Sequence, residues 1–288
     1  MATFSRRSLL AGGVFGALAA MCLSARELYV ARYINPYAPQ LEYVELPLPP
    51  SIASMDGLKI GFVTDTHVGP FISLDDLERS LDLVRAEKPD LLLLGGDYIS
   101  ESPRYLAGTA ELLGLLAAEA PLGCYAVMGN HDYSITGAYA IKTLGDVGIP
   151  ILSNDVAEVK VGSDSLWIAG IDETLLGSPD PAGTMAKVPK GGAALALWHE
   201  PTFAEQAAAA GAFAQLSGHT HGGQVRLPVV GPVGLPIHGH RHVIGLSSAN
   251  GMPVYTSRGV GVYRPPIRIN CPPEVTIVTL VAPTSTAR

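Results

Sequence analysis

Leu58-Lys-Ile-Gly-Phe-Val-Thr-Asp-Thr-His67, Leu91-Leu-Leu-Leu-Gly-Gly-Asp97 and Cys124-Tyr-Ala-Val-Met-Gly-Asn-His-Asp132 share one plan: a short apolar run, then a turn bearing acid, amide or imidazole side chains. The first run alternates apolar and polar residues and reads as a strand. Leu91 to Leu94 is apolar at every position, as expected of a strand covered on both faces. Between the three runs lie two helical spacings. Ser73 to Lys88 carries Leu74, Leu77, Leu81 and Val84, with Ser73 and Asp76 placed as a capping-box variant, and Pro103 to Glu119 is the second. Strand, helix, strand, helix, strand predicts parallel pairing with right-handed crossovers. Ligands in such sheets collect at the carboxyl ends of the strands, where all three motifs fall.

The pattern continues outward. Ala138 to Val147 reads as a helix, and Ala157 to Val161 and Leu166 to Ile171 as strands joined at Gly162-Ser-Asp-Ser165. Ala193 to Trp198 leads to His199, Thr202 to Ala210 is an Ala-rich helix, and Gln215 to Ser217 leads to Gly218-His-Thr-His221. Val254 to Ser257 and Glu274 to Val281 close the chain with strands. A parallel start and a β-rich finish predict an α/β fold of two mixed sheets with helices outside.

At 288 residues, with 48% apolar and 16% charged residues, the chain can bury a large core, which excludes a disordered protein. A net charge of -7 speaks against nucleic-acid binding, which needs clustered Lys and Arg. Residues 1–25 combine Arg6-Arg7 with an uncharged stretch from Ser8, which reads as an export signal or an N-terminal membrane anchor. Ser5-Arg-Arg-Ser-Leu-Leu10 resembles a twin-arginine signal, departing from it at Leu9 and Ala11. The expected partners are therefore the twin-arginine export machinery and the membrane. The expected location is the periplasm or the outer face of the cytoplasmic membrane. Residues 26–50, with five prolines after Asn35, read as an extended linker, 51–284 as the domain and 285–288 as a tail. Cys22, Cys124 and Cys271 are too few for a disulfide framework, though Cys124 and Cys271 are compatible with one bridge.

The polar motifs select a chemistry. Asp65 and His67, two apart, project to one side if the strand continues, and Gly95-Gly96 lets the Asp97 carboxylate reach between two ions. Divalent ions about 3.5–4 Å apart repel by roughly 17–19 kcal/mol at an effective dielectric of 20. Such a pair needs anions between or beside it. Asp65, a bridging Asp97 and one hydroxide bring a formal +4 to +1, which favours an incoming phosphate. The ligands divide into Asp65, His67, Asp97 and His221 for one ion, and Asp97, Asn130, His199 and His219 for the other. Oxygen and imidazole donors without thiolate suit Mn, Fe or Zn. Arg258 and Arg264 follow a strand and are candidate contacts for a substrate phosphate. His238, His240 and His242 alternate, but with no carboxylate beside them they read as a rim loop.

The ordered motifs resemble those of the calcineurin-like metallophosphoesterases from about Leu58 to Leu280. Gly218-His-Thr-His-Gly-Gly-Gln224 and Ile269-Asn-Cys-Pro-Pro-Glu274 further resemble its membrane-associated, exported bacterial phosphodiesterase branch. The resemblance implies a four-layer αββα sandwich and a dinuclear centre that hydrolyses a phosphodiester or phosphomonoester with a metal-bridging hydroxide. It implies that His131 stabilises the transition state or protonates the leaving group, and that Asp132 orients it. It also implies an alternative hydrolase, a pyrophosphatase of lipid-linked nucleotide sugars of the UDP-diacylglucosamine type. A phosphate-binding protein without turnover would be expected to lack a ligand or His131, and neither is missing. Ser100 departs from the resemblance, since many members carry an acid there.

Overall fold

The computed structural model describes residues 24–283. The proposed signal, Cys22 and the tail from 285 lie outside or almost outside that range. One sheet has the order β1-β13-β2-β3-β4, from Gln40–Pro47, Glu274–Val281, Lys59–Val63, Leu91–Leu94 and Cys124–Ala126. The other has the order β11-β12-β8-β7-β6-β5, from Gly245–Ala249, Met252–Thr256, Ala214–Ser217, Ala193–Leu197, Asp164–Gly170 and Asp155–Val161. β2, β3 and β4 pair in parallel as predicted, and β13 runs antiparallel to β2.

Side-chain alternation places the sheets. On β3, Leu91 and Leu93 face a cluster shared with Leu195 and Leu197 of β7, while Leu92 and Leu94 face a cluster with Leu77, Leu81 and Leu113. Those last residues come from helices α2 (Leu74–Ala86) and α3 (Leu106–Ala117). On β7 the next residues, Ala194 and Ala196, turn to a third cluster with Ala204 and Ala207 of helix α7 (Ala204–Ala210). Three apolar interfaces thus separate four layers: helices, sheet, sheet, helices. Helix α2 starts at Ser73, whose side chain accepts from the Asp76 amide while Asp76 accepts in return, the capping box read from the sequence.

The stretch read as a linker is built into the domain instead. Residues 24–33 are helical and form α1, and β1 adds to the sheet beside β13 over eight paired residues. Its polar, Pro-rich composition hides a strand because β1 is the sheet edge, where exposed side chains such as Tyr43 are tolerated. Among the described residues no helix is long and apolar enough to cross a membrane. Cys124 and Cys271 are buried free thiols, so the bridge left open above is not formed.

Candidate metal centre

Five strand ends converge. β2 leads to Asp65 and His67, β3 to Asp97, β7 to His199 and β8 to His219 and His221, while β4 leads to Asn130 and His131 in helix α4 (Asn130–Ile135). The ligand candidates do not sit in continued strands. Asp65, His67, Asp97, His219 and His221 all have φ between 45° and 67°, a left-handed conformation costly for residues with a Cβ. Asp65 and His67 therefore meet through the loop's curl, and not through strand alternation as the spacing alone suggests. Glycines make the curl fit: a Cβ on Gly96, itself at φ 96°, would stand 2.5 Å from the Gly129 nitrogen, and one on Gly218 would strike the Asp65 carboxylate.

The side chains gather into overlapping sets: Asp65 with His67 and His221; His67 with Asp97 and His131; Asp65 with Asp97 and His199; His199 with Glu200 and His219. Asp97 Oδ2 lies 3.5 Å from His67 Nε2 and 3.3 Å from His199 Nε2, so one carboxylate oxygen faces both halves of the site. His221 Nε2 is 3.0 Å from His67 Nε2 and 3.4 Å from Asp65 Oδ1. Asn130 Oδ1 is 3.0 Å from His219 Nδ1.

The far ring nitrogens are tied down. His67 Nδ1 meets Ser100 Oγ at 2.7 Å, His199 Nδ1 meets the Gly95 carbonyl at 2.7 Å, and His219 Nε2 meets the Ile237 carbonyl at 2.7 Å. An imidazole anchored at one nitrogen presents the other as a lone pair, which is how metal-binding histidines are oriented. Here the presented nitrogens point at one another and at carboxylates, and His199 Nε2 has no hydrogen-bond partner. A buried cluster of that kind fits divalent cations. Ser100 thus serves as the anchor of His67 in spite of its departure from the acidic residue expected there.

Burial and charge prepare the donors. Burial above all pushes His67 down to about 3 and His219 to about 4, and takes His221 well below the ordinary value, so these rings are neutral. Burial also opposes ionisation of Asp97, but the neighbouring His199 above all holds it well below the ordinary carboxylate range. Asp65, pushed to about 6 by burial and then by Asp97, is the weaker acid of the pair.

Several candidates are placed otherwise than expected. Asp132 does not reach the His131 ring: its carboxylate accepts from the amides of Asp97 (2.7 Å), Tyr98 (2.9 Å) and Gly129 (2.9 Å). It sets the loops that hold Asp97 and Asn130, and a short acid is needed there because three amides converge. Arg258 turns from the site to pair with Glu42 and Glu274, leaving it a structural role in the wall beside β1 and β13. Arg264 does line the cavity at the site, paired through Nε with Glu101 at 2.7 Å. Of the rim histidines, His242 Nδ1 meets Ser247 Oγ at 2.8 Å and His238 packs on Phe203, away from the cluster.

Other residues at the site carried no sequence signal. Tyr263 packs against His131 with ring centres 4.7 Å apart. Glu200 is buried behind His199 and pushed up to about 8, by burial first. Arg268 is fully buried, and donates to the carbonyls of Cys271 (3.0 Å), Arg258 (2.8 Å), Gly259 (2.9 Å) and Gly261 (2.5 Å). Burial lowers it to about 10, which leaves it charged. The loop it gathers backs the site: the Gly261 amide donates to the Asp65 carbonyl at 2.7 Å. A lone Arg in a Pro-rich stretch gives no hint of this role.

Comparison with known proteins shows the family. Residues 58–243 match the model of the calcineurin-like phosphoesterase family. The metallophosphoesterase YkuE of Bacillus subtilis (strain 168) is 34% identical over 285 residues, covering 97% of this chain and 99% of that protein. The phosphodiesterase YaeI of Escherichia coli (strain K12) is 34% identical over 230 residues, covering 77% of this chain and 82% of that protein. A 5'-nucleotidase precursor from Thermus thermophilus aligns at 15% identity and a TM-score of 0.47, over 77% of this chain and 54% of that one. The chain belongs to the calcineurin-like phosphoesterase family, whose enzymes use divalent metals to hydrolyse phosphoesters.

Proposed function

We propose that the protein is a dinuclear phosphohydrolase acting on phosphodiesters or phosphomonoesters, with Asp97 bridging two divalent ions. The observation that carries this reading is the position of Asp97 Oδ2 between His67 Nε2 and His199 Nε2. On one side of it Asp65, His67 and His221 would hold the first ion; on the other Asn130, His199 and His219 would hold the second. Oxygen and imidazole donors suit Mn, Zn or Fe. When bound, two such ions supply a nucleophile from water and neutralise charge developing on the phosphoryl oxygens.

The chain's own residues position and complete the reaction. Asn130 and His131 follow directly from Gly129, and the His131 amide donates to Asp97 Oδ1 at 2.8 Å, so the backbone that carries the imidazole is tied to the proposed bridging carboxylate. His131 faces the cavity with Tyr263 against its ring. From there it donates a proton to the departing alkoxide or steadies charge on the phosphoryl group. Arg264, which lines the same cavity, would meet a substrate oxygen. Residues 1–25 would carry the domain through the twin-arginine route and hold it at the membrane, which puts the reaction outside the cytoplasm.

The test is turnover of bis-p-nitrophenyl phosphate by Mn-loaded and Zn-loaded protein. His131→Ala is expected to lower kcat by roughly a hundredfold to ten-thousandfold with metal content unchanged. Metal loss in that variant, or full activity, would remove His131 from this role. For the export route, a reporter fusion with Arg6 and Arg7 both changed to Lys should stay in the cytoplasm; unchanged export would overturn it.

A further inference from the structure

The cavity at the site, of about 670 Å³, is far larger than a phosphoryl group needs. One end holds Asp97, Asn130, His131 and the site histidines; the rest is walled by side chains such as Val225, Val233, Leu235 and Ile237. The wall is part of a hairpin whose strands β9 (Arg226–Leu227) and β10 (Gly231–Pro232) pair antiparallel. From Leu227 to Ile237 the sequence Leu-Pro-Val-Val-Gly-Pro-Val-Gly-Leu-Pro-Ile carries no charge.

At its tip Val229 is fully exposed and Val230 is 70% exposed. Val229 also has φ 68°, a conformation in which a β-branched residue is strained and Gly or Asn is not. Neither folding nor solubility accounts for a valine there. Val233 and Ile237 are exposed and line the open cavity, so apolar residues lead from the hairpin tip to the site. A continuous apolar patch on a protein surface marks a place that meets lipid, ligand or another protein.

The chain indicates which. The hairpin and α1 are anchored to the same strip: the Arg226 amide donates to the Ile269 carbonyl, and the Arg268 amide to the Ala31 carbonyl, each at 2.9 Å. Arg32 of α1 and Arg264 of the cavity wall both lie over the Phe71 ring, at 5.6 and 5.1 Å. α1 exposes Leu28, Tyr29 and Tyr33 beside Arg26 and Arg32, a mixture suited to a lipid headgroup boundary. The chain that precedes it is uncharged from Ser8 to Ala25.

Building on the phosphohydrolase reading above, we propose that the substrate is an amphiphilic phosphoester drawn from a lipid surface, its apolar chain lying along the Val225–Ile237 wall and its phosphoryl group at Asp97 and His131. The uncharged tip of the hairpin and α1 dock on that surface and set the cavity mouth against it.

Two binding measurements on the full, Mn-loaded chain test this, with any hydrolysis of the ligands followed alongside. Dodecyl phosphate, kept below its micelle concentration, is expected to bind at least about tenfold tighter than methyl phosphate, since its chain has apolar wall to bury. In a Cys22→Ser background, an environment-sensitive fluorophore on Val229→Cys should move its emission clearly to the blue when phosphatidylglycerol–phosphatidylcholine vesicles are added, with the thermal midpoint kept, a local readout that residues 1–25 do not supply. Equal affinity for the two phosphates would overturn the substrate class. Emission unchanged by vesicles would overturn docking through the hairpin. Failure of the hydrolase reading shows separately, as no turnover of bis-p-nitrophenyl phosphate, which has no alkyl chain.

Discussion

The two flanks of the centre are built in opposite ways. Asp65, His67, Asp97, Asn130 and His131 come from three neighbouring parallel strands, joined by helices whose apolar faces pack on the sheet. His219, His221 and the loop from Arg258 to Cys271 belong to a region of short strands and irregular chain. There Arg268 and a few backbone bonds supplement the apolar packing that Val260 and Val262 supply. On the first flank the ligands are held by packing that many residues share. On the second they depend on single polar groups, so single changes should act there more on stability and on the first flank more on chemistry.

The largest effect is expected at the carboxylate both flanks share. Asp97→Asn should lower turnover at least about a thousandfold, roughly 4 kcal/mol of barrier, and reduce the metal bound per chain; normal metal content would remove the bridge. Next, Arg268→Met leaves four carbonyls without their donor, so unfolding free energy should fall by about 3 kcal/mol. That corresponds to a thermal midpoint lower by roughly 6–12 °C, and a change confined to activity would contradict the contrast between flanks.

Ser100→Ala removes the anchor of His67 and should weaken metal affinity by roughly ten- to a hundredfold with the fold intact, as a metal titration would show. The smallest effect separates the two buried thiols. Burial alone raises Cys124 beneath the first sheet, whereas for Cys271 burial is partly offset by Arg268, Arg258 and Arg226. A thiol reagent should therefore label the Cys271 peptide before the Cys124 peptide, read by mass spectrometry. Labelling in the reverse order would mean that the loop flank is the more rigid one.

The same thiols fix the sign of an alkaline effect. In the folded chain Cys124, and with it the buried Tyr98 and Tyr255, are raised above their ordinary values, chiefly by burial. The unfolded thiol loses its proton near 9.0, and the folded one retains it. Stability from these groups is complete below that value and falls as pH rises beyond it. The thermal midpoint at pH 10 should thus be lower than at pH 8.

What the sequence made legible follows the same division. Strands such as Leu91–Leu94 and Glu274–Val281, and the helix capped at Ser73, carry periodicity or capping chemistry that needs no distant partner. The candidate ligands were legible because each closes such a strand with an acid, amide or imidazole next to glycine. β1 was not, since an edge strand of mixed polarity beside prolines looks like linker until β13 is there to pair with it. Tyr263 and the binding of Asp132 to the amides of Asp97 and Tyr98 could not be read, because those partners lie far along the chain, and the role of Arg268 could not, because its acceptors are backbone carbonyls that carry no residue signal. Arg258 and Arg264 look alike in sequence and both meet a carboxylate, but Glu42 and Glu274 hold Arg258 in the wall whereas Arg264, paired with Glu101, still lines the cavity.

The most direct test of the account is the number of Mn ions bound per chain at saturation, measured on the same sample as bis-p-nitrophenyl phosphate hydrolysis. Two ions per chain with hydrolysis, falling together in Asp97→Asn, is the expected result. Hydrolysis that saturates with one ion, or two bound ions without hydrolysis, would contradict a two-ion centre bridged by Asp97.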